Sequence, residues 1–270
     1  MHIIFLFLTS LFLIVLKAGH AGIRLSDTNI YFYTSWLILH GKLLYKDIFF
    51  TNLPVFPYIS ALYVFLLGNL EWYYLTATLE VIIVGLLIYF ITKKRFKDKR
   101  NVALTCSFLY IFSFITLSTS DHQSGVFLSS ILAMASYFFY IEKRYLLLGI
   151  SLGITLTIKA YLLPIIIAFF LFLAIKESKN MLISLVSFLI TIIIVLTPFV
   201  ILAGPEFKTN ILQYSLVRLP GLSKINIILF FIKHDFALFF LIIFNVLNIK
   251  RNLLFFLITL FCAVFILLYQ

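Results

Sequence analysis

The sequence predicts an all-α protein that crosses a membrane many times. Three observations predict it. Of the 270 residues, 63% are hydrophobic and the mean hydropathy is +1.14. Only 11% are charged, far below the usual share of a soluble domain. Apolar runs of about 15 to 22 residues recur along the chain between short charged patches, the helix length a bilayer asks for. No stretch between the runs is long enough to hold a soluble domain, so residues 1–270 are read as one transmembrane domain.

The elements follow in order. The run 2–18 is read as a retained first span. It lacks a basic leading region, and His20-Ala21-Gly22 is a poor cleavage site. Residues 19–72 form a first external loop, with a helix after Asp27 and another over 54–68. Further spans are expected at 73–92, 102–118, 124–141, 145–158, 161–175, 181–203, 235–249 and 253–269, making nine. The pair 145–158 and 161–175 is short for a hydrocarbon core of about 30 Å. These two are expected to meet at Lys159 near the outer face, where local thinning is tolerable. Residues 204–234 form a second external loop. Cys106 and Cys262 fall within spans and are read as apolar core, not as a disulfide or metal pair. No P-loop or glycine-rich nucleotide fingerprint is present.

The charges set the sides. The patches at 93–100, 142–144, 176–179 and 250–251 hold more than half of the 21 Lys and Arg. They fall on one face, read as the cytoplasm. The net charge of +11 is thereby explained without nucleic acid as a partner. Residues 54–70 leave two topologies open. If they span, the N-terminus is outside and Asp27 and Asp47 are cytoplasmic, which charge counting slightly favours. Against this, Pro54 to Leu67 gives only about 21 Å of helix and opens on two prolines, Pro54 and Pro57. An interfacial helix on the outer leaflet is preferred, and it brings Asp27, Asp47 and Asp121 to one face.

Carboxylates are costly beside hydrocarbon, so acids kept at its boundary are functional candidates. Each also has a plainer reading. Asp27, in Ser26-Asp27-Thr28, suits a helix N-cap. Asp47 suits a solvated loop. Asp121 and His122 open a helix, where capping and the dipole favour them. Lys159 suits a snorkelling helix end. Glu80, inside a span, needs a partner or a wet groove, and no role is assigned to it. Tyr31, Tyr33, Trp36 and Tyr45 fit either sugar stacking or an aromatic belt.

The order of these residues resembles membrane glycosyltransferases of the GT-C superfamily, which includes protein O-mannosyltransferases and aminoarabinose lipid A transferases. The shared pattern in the first loop reads here Asp27, Tyr31, Gly41, Tyr45-Lys46-Asp47 and Asn52-Leu53-Pro54. A second match is Ser120-Asp121-His122-Gln123-Ser124. A third is the Gly149-xxx-Gly153 helix ending in Thr157-Ile158-Lys159. The resemblance covers about residues 1–200 and rests on order and spacing, not on one strong motif. Asp27 is followed by Thr28, where many relatives carry a second acid. The chain stops at Gln270 in an apolar run where relatives continue, so a compact and a truncated member both stay open.

The resemblance implies transfer of a sugar from a polyprenyl-phosphate carrier to a lipid, glycan or protein acceptor outside the cytoplasm. Asp27 is then the base or acceptor-orienting group, and Asp47 holds the acceptor or braces the loop. Asp121, His122 and Lys159 serve the donor phosphate, with Arg218 a weaker candidate. The leaving phosphate needs a cation or a divalent metal, but Asp121 and His122 alone are too few ligands to assign one. Two rivals remain. A transporter or lipid-carrier flippase would show internal repeats and midplane polar sites; no repeat is evident, and the polar candidates gather at one face. A non-catalytic or truncated membrane protein is the other.

Overall fold

In the computed structural model, residues 2–18, 27–96, 99–213 and 253–268 are described, with isolated positions at 226, 229, 233, 234 and 243. The described residues are mostly helical and form no strand, with one isolated bridge between Leu44 and Ile48 in the loop that follows the second helix. The helices are α1 (His2–Ala18), α2 (Asp27–Leu39), α3 (Val55–Leu67), α4 (Leu70–Arg95), α5 (Arg100–Ile111) and α6 (Phe114–Thr119). They continue with α7 (Val126–Ile141), α8 (Tyr145–Ile158), α9 (Leu163–Lys176), α10 (Ser178–Ala203), α11 (Pro205–Lys208) and α12 (Leu253–Leu268). A 3-10 turn (Ala160–Leu162) joins α8 to α9, and a π turn (Thr209–Gln213) follows α11.

Two helices, α4 and α10, are long and apolar enough to cross a membrane on their own. The other apolar helices are shorter, so the nine full spans read from the sequence are not matched by nine full-length helices among the described residues. The expected span 102–118 is interrupted. Ser113 adopts an extended backbone and its hydroxyl accepts from Thr116 N, capping a new short helix, α6. The expected span 235–249 lies outside the described residues, as do Arg218 and most of the expected 204–234 loop. The described start of that loop, 204–213, is helical. The expected helix over 54–68 is present as α3. It is flanked by Pro54 at its start and by Gly68, whose left-handed φ of 73° ends it.

Small residues decide the tightest helix crossing. Gly149 and Gly153 of α8 face Ser184, Ser187 and Thr191 of α10. A Cβ on Gly149 would collide with the Ser187 hydroxyl and the Ser184 carbonyl, and one on Gly153 would lie 2.9 Å from Thr191 Cβ. Without a strong hydrophobic drive between helices in lipid, such close backbone approach holds them together. The rest of α10 presents Val186, Leu189, Ile190, Ile193 and Ile194 outward, as lipid-facing surface would.

Paired ends give the bundle its sense. At one end, Lys94 of α4 pairs with Glu142 after α7, and the Tyr145 hydroxyl of α8 donates to Glu177 before α10. At the other end, Lys17 of α1 meets Asp121, and Lys159 at the close of α8 meets Tyr31 of α2. Both sets of contacts link points distant in sequence.

Candidate active site

The second end holds the candidate site. Its floor is an aromatic cluster in which Tyr31 packs edge-on against Phe56 (ring centroids 4.7 Å apart) and Phe50 (5.8 Å). Ile158 and Tyr45 complete the floor. Asp27 opens α2 one helical turn before Tyr31. Its carboxylate is 68% exposed, and Oδ2 lies 3.9 Å from His122 Nε2. Thr28 Oγ1 lies 3.4 Å from His122 Nδ1. With a proton on Nε2 the ring points its positive edge at Asp27, and Nδ1 then accepts from the Thr28 hydroxyl. Asp27 is also the acidic residue in the first turn of α2, where the helix dipole favours a carboxylate.

The turn 120–125, which carries His122, is locked to α4. Thr78 donates to Ser120 O at 2.8 Å. Gln123, fully buried, donates to Thr76 Oγ1 at 2.7 Å and to Glu80 Oε1 at 3.0 Å. Tyr63 of α3 donates to the same Glu80 oxygen at 3.1 Å. Glu80 Oε1 thus gains two donors inside an apolar helix, while Oε2 is buried with no hydrogen-bond partner among the described residues. Gly125, at φ 80°, lets Phe56 slide beneath the turn, since a Cβ there would lie 2.6 Å from the ring.

Asp121 points at a different partner. Its Oδ2 lies 3.5 Å from Lys17 Nζ, both side chains are nearly buried, and Lys17 also donates to Leu117 O. The pair ties the last turn of α1 to the turn before α7. Lys159 is 7% exposed and donates to the Tyr31 hydroxyl at 2.9 Å. Its ammonium also lies 5.1 Å from the Tyr31 ring and 5.8 Å from the Tyr161 ring. It does not deliver its charge to solvent as a snorkelling lysine would. Burial, and after it the nearby Asp27 carboxylate, push the pKa of the Tyr161 hydroxyl up to about 12, so it stays protonated. Asp27, His122, Tyr161 and the Lys159–Tyr31 pair therefore form one constellation.

Asp47 stands apart from it. Its Oδ2 accepts from Leu43 N at 2.8 Å and closes a tight loop in which Tyr45 takes a left-handed φ of 70°. The Tyr45 hydroxyl donates to Asn52 O at 2.6 Å, and burial drives its pKa far above the ordinary value, so it stays a donor. Asn210 pins the same loop by accepting from Phe50 N and donating to Tyr45 O. Among the described residues Asp47 makes no hydrogen bond or ion pair with Asp27, Asp121, His122 or Lys159. Bracing the loop is the role its geometry displays. No three His, Cys, Asp or Glu side chains gather into a metal-ligating group among the described residues.

The sequence singled out Asp27, Asp47, Asp121, His122 and Lys159, and the fold sets Asp47 apart from the others. The sequence missed Lys17, Tyr161 and the Glu80–Gln123 support. Only Glu80 carried a signal, as an acid inside a span.

An all-α chain of this hydropathy is a membrane protein, and a polar constellation gathers at one end of its described helices. Residues 52–203, more than half of the chain, match the family model of dolichyl-phosphate-mannose-protein mannosyltransferases. The chain belongs to that family and is a glycosyltransferase of the GT-C type. The matched region holds Asp121, His122 and Lys159, whereas Asp27 and Asp47 precede it. No curated protein and no solved structure matches the chain.

Proposed function

We propose that the protein transfers a sugar from a polyprenyl-phosphate-linked donor to an acceptor hydroxyl or amide at the outer face of the membrane. The contact between Asp27 and His122 carries the reading, because it joins the first loop to the turn inside the family-matched region. The family's own description names a dolichyl-phosphate sugar as donor and protein as acceptor. The classes we assign are a polyprenyl-phosphate sugar and a lipid, glycan or protein nucleophile. In the transfer, the acceptor oxygen or nitrogen bonds to the anomeric carbon and loses its proton to Asp27. The bond from that carbon to the phosphate oxygen breaks, and its electron pair leaves on the lipid phosphate. His122, protonated at Nε2, orients Asp27. Lys159 polarises the Tyr31 hydroxyl, and the two offset the charge that grows on the phosphate. Asp121, paired with Lys17, holds the turn.

The topology in this reading has nine spans and the N-terminus inside, with α2 and α3 on the outer leaflet. Meeting of the α1, α6 and α8 ends beside Asp27 supports it, as does the gathering of Lys94, Glu142 and Glu177 at the far end. The span at 235–249 rests on hydropathy alone.

Purified protein in proteoliposomes tests the donor class. Incubated with a panel of polyprenyl-phosphate sugars and with the matching nucleotide sugars, it should label an acceptor from lipid-linked donors only. Labelling from nucleotide sugars, or movement of the lipid donor between leaflets without transfer, contradicts the reading.

A further inference from the structure

A crevice lies at the end opposite the candidate site. It has a volume of about 750 Å³ and opens between the ends of α4, α7 and α9 and the start of α12, within the size range of small-ligand sites. Arg95 and Lys143 supply cations to its wall, with Thr92, Tyr137 and Tyr140 beside them. Phe172, Leu254 and Phe255 supply an apolar side.

The charges in this wall are not equivalent. Lys94, next to Arg95, is already paired with Glu142. Arg95 makes no ion pair among the described residues and faces Tyr137 and Tyr140 instead. Glu177, the carboxylate in the wall, receives hydrogen bonds from Tyr145 and from Asn180 Nδ2. Lys143, also in the wall, takes a left-handed backbone, φ 57°, in the short connection from α7 to α8. Two cations thus share the wall with an aromatic and aliphatic surface and with one carboxylate, Glu177, whose Oε2 is turned to the Tyr145 and Asn180 donors.

We infer that this crevice binds an anionic phospholipid, with its phosphate between Arg95 and Lys143 and the upper part of a chain along Phe172 and Leu254. A free phosphate would use the cations and leave the apolar side uncovered. A zwitterionic lipid brings its own ammonium against two cations. Basic pockets between helices at this membrane depth suit anionic headgroups. Placing the lipid in the inner leaflet rests on the orientation proposed above, but binding itself does not depend on sidedness or on catalysis.

The test uses the full chain in detergent and native mass spectrometry. Dioleoylphosphatidylglycerol, dioleoylphosphatidylcholine and inorganic phosphate are the probes. The expected result is one tightly retained phosphatidylglycerol that the phosphatidylcholine does not replace and phosphate does not displace. Losing both charges in Arg95→Gln/Lys143→Gln should weaken retention by roughly 30-fold, about fivefold per cation, whereas Lys94→Gln should leave it unchanged. Thr92→Trp keeps both cations and fills the slot, and it should abolish retention. Equal retention of the two lipids, or undiminished retention in either the double variant or Thr92→Trp, overturns the inference. Displacement by phosphate alone overturns the lipid as occupant and leaves a simple anion site.

Discussion

Lys159 illustrates what a single side chain does in this protein. An ammonium with 7% exposure must be compensated, because an isolated buried charge is costly. The Tyr31 hydroxyl and two aromatic faces supply part of that compensation. In the proposed reaction a lipid phosphate approaching the constellation brings further negative charge to Lys159. Lys159→Met keeps the apolar stem and removes the charge. Donor-lipid affinity should fall about 10- to 100-fold, the cost of losing one hydrogen bond to a charged group. Equilibrium binding to a non-transferable donor analogue measures this, and unchanged affinity would leave Lys159 a structural partner of Tyr31. Asp121 shows the limit of reading residues singly. In sequence it looked like a donor-site acid beside His122. In the fold its carboxylate faces Lys17, a pairing between residues too far apart in the chain for spacing to reveal.

The elements were legible where hydropathy alone governs them. The runs that became α4 and α10 are long and uninterrupted, so their existence followed from length. The interruption at Ser113 was not legible, because one capping hydroxyl within an apolar run leaves the hydropathy unchanged. The Gly149-xxx-Gly153 spacing was visible, but its partner was not. The structure assigns it to Ser184, Ser187 and Thr191 of α10. Gly149→Ala should therefore separate α8 from α10. Overpacking of this kind costs about 1–3 kcal/mol, read as a lowered thermal midpoint in detergent. Gly153→Ala should cost less, since its new Cβ meets mainly the Thr191 side chain. Equal stability of wild type and Gly149→Ala would mean that the crossing is looser than described.

At the scale of the whole molecule, the chain divides its polar chemistry between two ends. One end collects Asp27, His122, Tyr161 and Lys159. The other collects Arg95, Lys143 and the Lys94–Glu142 pair. The basic patches made this division legible in sequence, because charge between apolar runs has few places to go. Which polar groups touch across each end depended on helix packing and was not legible. Single cysteines at Lys46 and Lys99, in a chain with Cys106 and Cys262 replaced by Ala, test the sidedness. An impermeant maleimide applied to intact cells should label position 46 and spare position 99. The reverse pattern would invert the topology and place the candidate site in the cytoplasm.

Asp27 is the residue on which the account turns, and its replacement by Asn is the most direct test. Asn keeps the size and much of the capping ability but cannot accept the acceptor's proton. Sugar transfer from a polyprenyl-phosphate donor is measured per folded molecule, with folded protein counted in the same membranes. Turnover should fall by about 10²- to 10⁴-fold, the usual cost of removing a general base, while the folded amount stays near wild type. Near-normal turnover per folded molecule would contradict the account and leave Asp27 as a helix cap.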